Sequence, residues 1–309
     1  MSDSTHILLL GAGELGTAFI PPLLALPSTY LTLAVRTPSK YAHLTASFPT
    51  LSLLPLDTTA ASSTLIASFS QYDIIIAATG YGQPAGTVTK LARQVLAAGD
   101  ARHGEGKRKG KLWFFPWQFG VDYDVTGDGE GLMPLFGEQL AVRTLLRNEA
   151  KEHHVKWTVV QTGIFMSFLF EPFWKVVDRE SEPLTVRALR SWEHKVTVTD
   201  VGDIGKALAR VVKGDVQAED RKVFVAGDTI SYAQLADIVQ KVTGKEAKRE
   251  EWTIPYLEEE LAKDPDDLIK KYRLVFARDG VWWDKEDTVN YKLGIPMMDV
   301  ETYARQLLR

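Results

Sequence analysis

The sequence predicts an α/β chain, a doubly wound parallel sheet with a smaller C-terminal region built onto it. Three observations predict this. Short apolar runs alternate with amphipathic stretches through the first half of the 309 residues, the pattern of successive βαβ units. The runs are continuously apolar, as strands covered on both faces require. A glycine-rich turn stands between the first such run and the first helical pattern.

Taken in order, strands are expected at Ile7–Leu10, Leu31–Val35, Leu51–Leu54, Asp73–Ala78, Leu112–Phe115 and Thr158–Gln161. Helical periodicity follows most of them, at Leu15–Leu26, Ala61–Phe69, Thr87–Ala98 and Phe136–Lys151. Pro21-Pro22 falls inside the first helix and removes interior N–H donors, so a kink or a shortened helix is expected there, with the first turn intact. Ala101–Lys111 is rich in Gly, Lys and Arg. It reads as a solvated loop, since it has no Phe, Tyr or Trp on which nucleic-acid bases would stack. Past Gly163 the pattern changes. Strands are expected at Pro183–Leu189, Lys195–Val198 and Lys222–Ala226, and helices at Asp203–Val212 and Tyr232–Thr243, the latter closed by Gly244. Glu258–Asp267 is acidic and reads as a solvated helix or loop.

Composition narrows the function. Apolar residues make up 45% and charged residues 25%, ordinary for a globular chain, and a chain of this length buries about 75% of its unfolded surface. There is no Cys, which excludes disulfides, thiolate chemistry and Cys-ligated metals. Lys and Arg number 36 against 40 Asp and Glu, a net charge of −4. No basic field favours nucleic acid or an anionic membrane, and neither is expected as a direct partner. No apolar run reaches the ~20 residues of a membrane span. The first residues, Met1–His6, lack a basic segment followed by an apolar one, so a cytoplasmic protein is expected. The six His show no metal spacing, and neither His-Glu-x-x-His nor Gly-x-Ser-x-Gly occurs; no metal site is expected.

The motif that carries most chemistry is Gly11-Ala12-Gly13-Glu14-Leu15-Gly16, directly after the apolar run His6–Leu10. In this strand–turn–helix setting Gly11 permits the tight turn, Gly13 lets a pyrophosphate approach the backbone, and Gly16 lets helix and strand pack closely. The helix start then offers free N–H groups to phosphate. This is the fingerprint of a Rossmann-type dinucleotide domain. The second strand ends in Val35-Arg36-Thr37, with Lys40 four residues beyond Arg36. An acidic residue here would hold a ribose 2′-hydroxyl; the two cations suit a 2′-phosphate, so NADPH is the expected cofactor. Asp57, after the third strand, reads equally as an acceptor for an adenine amino group and as a plain loop residue. Thr79 and Gly80, at the end of the fourth strand, are expected to touch the cofactor.

Several stretches together resemble the NmrA-like and isoflavone reductase-like branch of the atypical short-chain dehydrogenases/reductases. They are Gly11–Gly16, Val35-Arg36, Phe114-Phe115-Pro116-Trp117-Gln118-Phe119-Gly120-Val121-Asp122, Trp157–Val160 leading into Thr162-Gly163-Ile164-Phe165, and Thr199–Gly205. Plant reductases of this kind have a similar Phe-Phe-Pro-Ser-Glu-Phe-Gly stretch, and the Trp-Gln wording here resembles a fungal subgroup. The resemblance implies an NADP(H)-binding Rossmann domain over residues 1–163 and a smaller substrate region over 164–309, partly interleaved with it. It also implies that Phe115, Pro116, Thr162, Gly163 and Phe165 line the nicotinamide side of the cofactor site.

In the plant reductases a Lys stands in a pattern like Phe-x-x-Lys-x-x-x-Arg. The matching stretch here is Phe136–Arg143, with Gln139 in place of the Lys. Gln hydrogen-bonds but does not transfer a proton. No Tyr is followed by Lys four residues on, so the usual Tyr-x-x-x-Lys pair is absent too. Gln139, Gln118 and Tyr123 are the expected polar contacts near the reacting carbon. Asp122 and Asp124 flank Tyr123, and Lys175 reads as covering apolar surface with its stem. Trp117, Trp174 and Trp192 are candidate walls for a flat aromatic ligand, while Trp282-Trp283 read as packing the small region or a partner. The resemblance then implies two readings. One is a reductase passing hydride from nicotinamide C4 to a small aromatic or phenolic molecule, in a possible homodimer. The other is a non-catalytic NADP(H)-sensing regulator acting through a protein partner.

Overall fold

Every strand expected in the first half forms within three residues of its expected ends in a computed structural model of the chain, which describes residues 4–80, 82–105 and 110–308. Tyr81 and residues 106–109 of the expected loop lie outside the described residues. The strands are β1 (Thr5–Leu10), β2 (Thr29–Val35), β3 (Ser52–Pro55), β4 (Ile74–Ala77), β5 (Leu112–Phe115) and β6 (Val155–Gln161). They lie in the order β3-β2-β1-β4-β5-β6, with the strand Arg221–Phe224 beyond β6. Each ladder from β3 to β6 is parallel; Ile7, for example, stands between Leu31 and Ile74. This is an α/β sheet of Rossmann type. Ile74–Ala77 and Leu112–Phe115 are buried throughout, which is why they read as unbroken apolar runs. The strand order reverses between β1 and β4, and ligands of doubly wound sheets bind at the carboxyl ends beside such a reversal.

The first helix, α1 (Glu14–Leu24), runs through Pro21 and Pro22 and ends two residues short of its expected end. Pro22 has no N–H to give the Ala18 carbonyl. Gly205, on the helix Val201–Lys213, packs against that same oxygen; a Cβ on Gly205 would stand 2.7 Å from it and 3.1 Å from Pro22 Cγ. At its other end α1 lies close on the sheet through Gly16. A Cβ there would stand 2.1 Å from the Gly11 oxygen.

The expected loop at Ala101–Lys111 is corrected in its first part. The helix Thr87–Glu105 continues through it. Arg102 is only 3% exposed. Its Nη1 donates to the Tyr72 carbonyl at 2.8 Å and its Nη2 to Asp73 Oδ1 at 2.7 Å, while Asp73 Oδ2 accepts from the His6 N–H at 2.8 Å. One carboxylate thus ties the beginnings of β1 and β4 to the end of a helix. Composition suggested solvent because the partner lies 29 residues away.

The chain divides into two compact units by contact. One contains the segments up to Gln118, Glu138–Val160 and Ile204–Val223; the other contains Phe119–Gly137, Gln161–Asp203 and the residues from Phe224 onward. Segments on both sides of residue 163 therefore belong to each unit. In the second unit, Lys195–Thr199 pairs with Ile164–Phe165 in parallel and with Asp228–Ser231 antiparallel. Thr185–Leu189 pairs with Lys248–Trp252 in parallel and with Val177–Asp178 antiparallel. The helix Tyr232–Thr243 opens with a capping box of Ser231 and Gln234 and closes at Gly244, φ +67°. The acidic stretch begins as the helix Ile254–Lys263. Trp174 is core rather than a ligand wall: it is 1% exposed and edge-on to Phe168 and Phe276. Trp283 is buried, its Nε1 donating to the Val225 carbonyl at 3.2 Å. Among the described residues no helix is long and apolar enough to cross a membrane, and no group of three His, Asp or Glu is placed to hold a metal.

Two measurements check this packing. Gly16→Ala pushes a methyl into the Gly11 oxygen and is expected to lower unfolding free energy by about 1–3 kcal/mol, read from urea denaturation at unchanged m-value. Arg102→Leu leaves the Asp73 carboxylate without its buried cation and is expected to cost about 3 kcal/mol by the same measurement.

Candidate functional site

The carboxyl ends of β1 to β4 border a cavity of about 650 Å³ in the first unit. Its floor is the turn after β1. Gly11 has φ +98°, where a side chain is strained, and a Cβ would stand 2.9 Å from Thr79 Cβ and 3.2 Å from the Ala78 oxygen. Gly13 is the N-cap of α1, in extended backbone. A Cβ built on it meets nothing within 4 Å, so its lack of a side chain serves the open space rather than protein packing. Gly16 then seats α1 on the turn.

No side chain caps α1, leaving the N–H groups of its first turn to a partner from outside, at the positive end of the helix dipole. The helix Thr87–Glu105 differs. Glu138 accepts from the Gly86 and Thr89 N–H groups, both at 3.0 Å, so that helix start already has an internal carboxylate. Of these two, α1 is the one arranged for an external anion.

The wall beyond β2 is cationic. Arg36 and Lys40 are both exposed and line the cavity with Thr37 and Tyr41. Among the described residues neither has a carboxylate within 4.0 Å. Asp57, after β3, lines the cavity with Leu56, Thr58 and Thr59. Its Oδ1 accepts from the Thr59 N–H at 2.9 Å and the Thr59 hydroxyl at 2.8 Å. These hydrogen bonds, with a smaller contribution from the Arg36 charge, hold its carboxyl below the usual range, so it stands ionised as an acceptor at neutral pH. After β4 come Ala78, Thr79 and Gly80, with Gln83 and Trp117. The Trp117 indole lies flat against Gly80, where a Cβ would be 2.0 Å from Cε3. Glycine at position 80 thus makes room for the ring. Phosphate would find N–H groups and cations here, and a flat ring would find Trp117, so the residues fit a phosphorylated dinucleotide.

The cavity gathers Gly11, Ala12, Gly13, Arg36, Lys40, Thr79 and Gly80 from the expected site. Others lie off its lining. Glu14 is exposed on the first turn of α1, Leu15 is buried beneath it, and Gly16 is the packing contact. Phe115 and Pro116 are buried at the end of β5. Gln118 is 1% exposed, and both ends of its amide are held: Nε2 donates to the Gln139 carbonyl at 2.7 Å and Oε1 accepts from Arg143 Nε at 2.7 Å. That amide binds the segment after β5 to the helix Pro134–Glu149 instead of reaching outward. Gln139 is buried on the same helix, and Arg143, one turn on, is fully buried. Within the second unit, Tyr123 is buried with its ring 4.8 Å from Phe136, and a Cβ on Gly120 would stand 2.8 Å from its hydroxyl. The Thr162 carbonyl accepts from the Thr199 hydroxyl at 2.7 Å. Gly163 has φ +69° and no room for a side chain beside the Thr197 oxygen. Phe165 is half-buried, edge-on to Phe168. Sequence reasoning missed Tyr41, Thr58 and Thr59; Thr58 and Thr59 directly follow Asp57, at the end of a parallel strand, which is the signal that marks them.

Comparison with known proteins agrees with this frame. The model of the NmrA-like family matches residues 3–278. An NmrA-like family domain-containing oxidoreductase of Gibberella moniliformis is 37% identical over 99% of both chains. The phenylcoumaran benzylic ether reductase of Nicotiana tabacum is 24% identical over 74% of this chain and 68% of that one. Among solved structures, an isoflavone reductase superposes with a TM-score of 0.77 at 17% identity, covering 98% of this chain and 99% of the other. An Escherichia coli NADPH-dependent quinone oxidoreductase complexed with NADPH superposes with a TM-score of 0.73 at 17% identity, covering 98% and 100%. The doubly wound sheet, the glycine turn on its first strand and a family match over most of the sequence lead to one assignment: this chain belongs to the NmrA-like family.

Proposed function

We propose that this protein is an NADPH-dependent oxidoreductase acting on a small aromatic or phenolic molecule. One observation carries the cofactor half of the reading. An uncapped helix start at an open glycine and two cations without carboxylate partners border the same cavity. In this reading the N–H groups of the first turn of α1 hold the pyrophosphate, and Arg36 and Lys40 hold the 2′-phosphate. Asp57 accepts from the adenine amino group, and Thr79, Gly80 and Trp117 border the path toward the nicotinamide. The relatives named as oxidoreductases and reductases, and the neighbour solved with NADPH, support the same reading.

When bound, NADPH supplies a hydride from nicotinamide C4. The chain's own part is positioning and charge stabilisation. Gln118 and Gln139 transfer no proton; of the three residues expected near the reacting carbon, only Tyr123 carries one to give. Gln139 also favours a second reading, a regulator that senses NADP(H) without turnover, because a sensor needs no proton donor at the position where the plant reductases carry Lys.

Titration calorimetry tests the cofactor. NADPH is expected to bind more tightly than NADH, and Arg36→Ala is expected to weaken NADPH roughly ten- to a hundredfold while leaving NADH nearly unchanged. Failure of both nucleotides to bind would remove both readings. Turnover then separates them: NADPH oxidation by a quinone or other aromatic acceptor, followed at the nicotinamide absorbance, is expected of the reductase. Tight binding with no oxidation across such a panel would favour the sensor.

A further inference from the structure

The second unit holds a smaller cavity of about 180 Å³, lined by Trp252, Tyr256, Leu257, Glu260, Lys270 and Arg273. Trp252 ends the strand Lys248–Trp252, Tyr256 and Glu260 come from the helix Ile254–Lys263, and Lys270 and Arg273 from the helix Leu268–Phe276. The two cations are three residues apart and so share one helix face.

Their partners are unusual. Lys270 Nζ donates to the Glu260 carbonyl at 2.9 Å. Arg273 donates through Nε to the Trp174 carbonyl at 3.0 Å and through Nη2 to the Phe173 carbonyl at 2.6 Å. Backbone carbonyls take hydrogen bonds but bring no net charge. Among the described residues neither cation has a carboxylate within 4.0 Å. Their neighbours do. Arg187 holds Asp178 at 3.0 Å and Glu250 at 2.7 Å. Glu260, the one acid on the lining, is held by Lys263 at 2.5 Å. Burial pushes the Arg273 guanidinium below its ordinary range, against the weaker opposing charges of Asp267 and Glu260. The lining thus carries two cations against one carboxylate.

The lining is also aromatic. The rings of Trp252 and Tyr256 lie 5.8 Å apart at 32°, and the Arg273 guanidinium stands 5.1 Å from the Trp252 ring. A bare inorganic anion would leave these rings unused, and a neutral arene would leave the cations uncompensated. The volume is below the range of about 300–1,000 Å³ common for larger organic ligands, which limits the occupant to a single ring. We propose that this cavity binds a small aromatic carboxylate, its carboxylate on Lys270 and Arg273 and its ring against Trp252 and Tyr256. The site stands apart from the dinucleotide reading and does not rest on it.

Calorimetric titration of the full chain with benzoate tests the proposal, with benzamide and cyclohexanecarboxylate as controls. Benzoate is expected to bind one to one and more weakly as salt rises. Benzamide, which lacks the charge, and cyclohexanecarboxylate, which lacks the flat ring, should each bind several-fold more weakly. Arg273 also holds two carbonyls, so the informative variants are Lys270→Gln and Tyr256→Leu, at half-buried and exposed positions. Lys270→Gln is expected to weaken benzoate roughly tenfold or more. No saturable benzoate binding, equal affinity for all three probes, or benzoate affinity unchanged in both variants would overturn the assignment.

Discussion

The Gly11 carbonyl oxygen lies where a side chain on residue 16 would begin, 2.1 Å from the position of a Cβ. That backbone contact sets how closely α1 sits on the turn after β1, and much of the first unit depends on it. Close seating puts the start of α1 at the reversal of strand order between β1 and β4. It also keeps the Gly13 backbone bare toward the cavity. Each of the three glycines answers a different requirement: a positive φ at Gly11, open space at Gly13, close packing at Gly16. A side chain at any of them would disturb a different part of the site.

The arrangement of charge follows from the same economy of partners. Most buried or half-buried ionic groups have internal partners. Asp73 serves Arg102 and the His6 N–H, Glu138 caps the helix Thr87–Glu105, and Arg187 lies between Asp178 and Glu250. Arg36 and Lys40 in one unit and Lys270 and Arg273 in the other line cavities with no carboxylate within 4.0 Å among the described residues. Desolvation makes an uncompensated cation costly, most of all where it is partly buried.

The buried amides show how one side chain can join two elements. The Gln118 amide spans from the Gln139 backbone to the Arg143 guanidinium. An amide can donate at one end and accept at the other, so it bridges a carbonyl and a cation at once. A carboxylate could not donate to that carbonyl. The amide therefore suits a fixed strut between the segment after β5 and the helix Pro134–Glu149.

By itself the sequence determined the sheet, the turn that carries the cofactor fingerprint and the cations after β2. These are local signals: apolar periodicity and glycine spacing act over a few residues, and a strand of a parallel sheet ends where its apolar run ends. Only the tertiary structure decided which charged groups meet. Arg102 read as solvated because its composition was basic, yet its partner is on a strand 29 residues away. Nothing near Glu138 announces that it caps a helix 49 residues earlier in the chain. Trp174 and Trp117 carry the same aromatic signal, but one is core and the other borders the cavity. Tertiary packing decides burial and pairing because both depend on distance in space, which spacing along the chain does not encode.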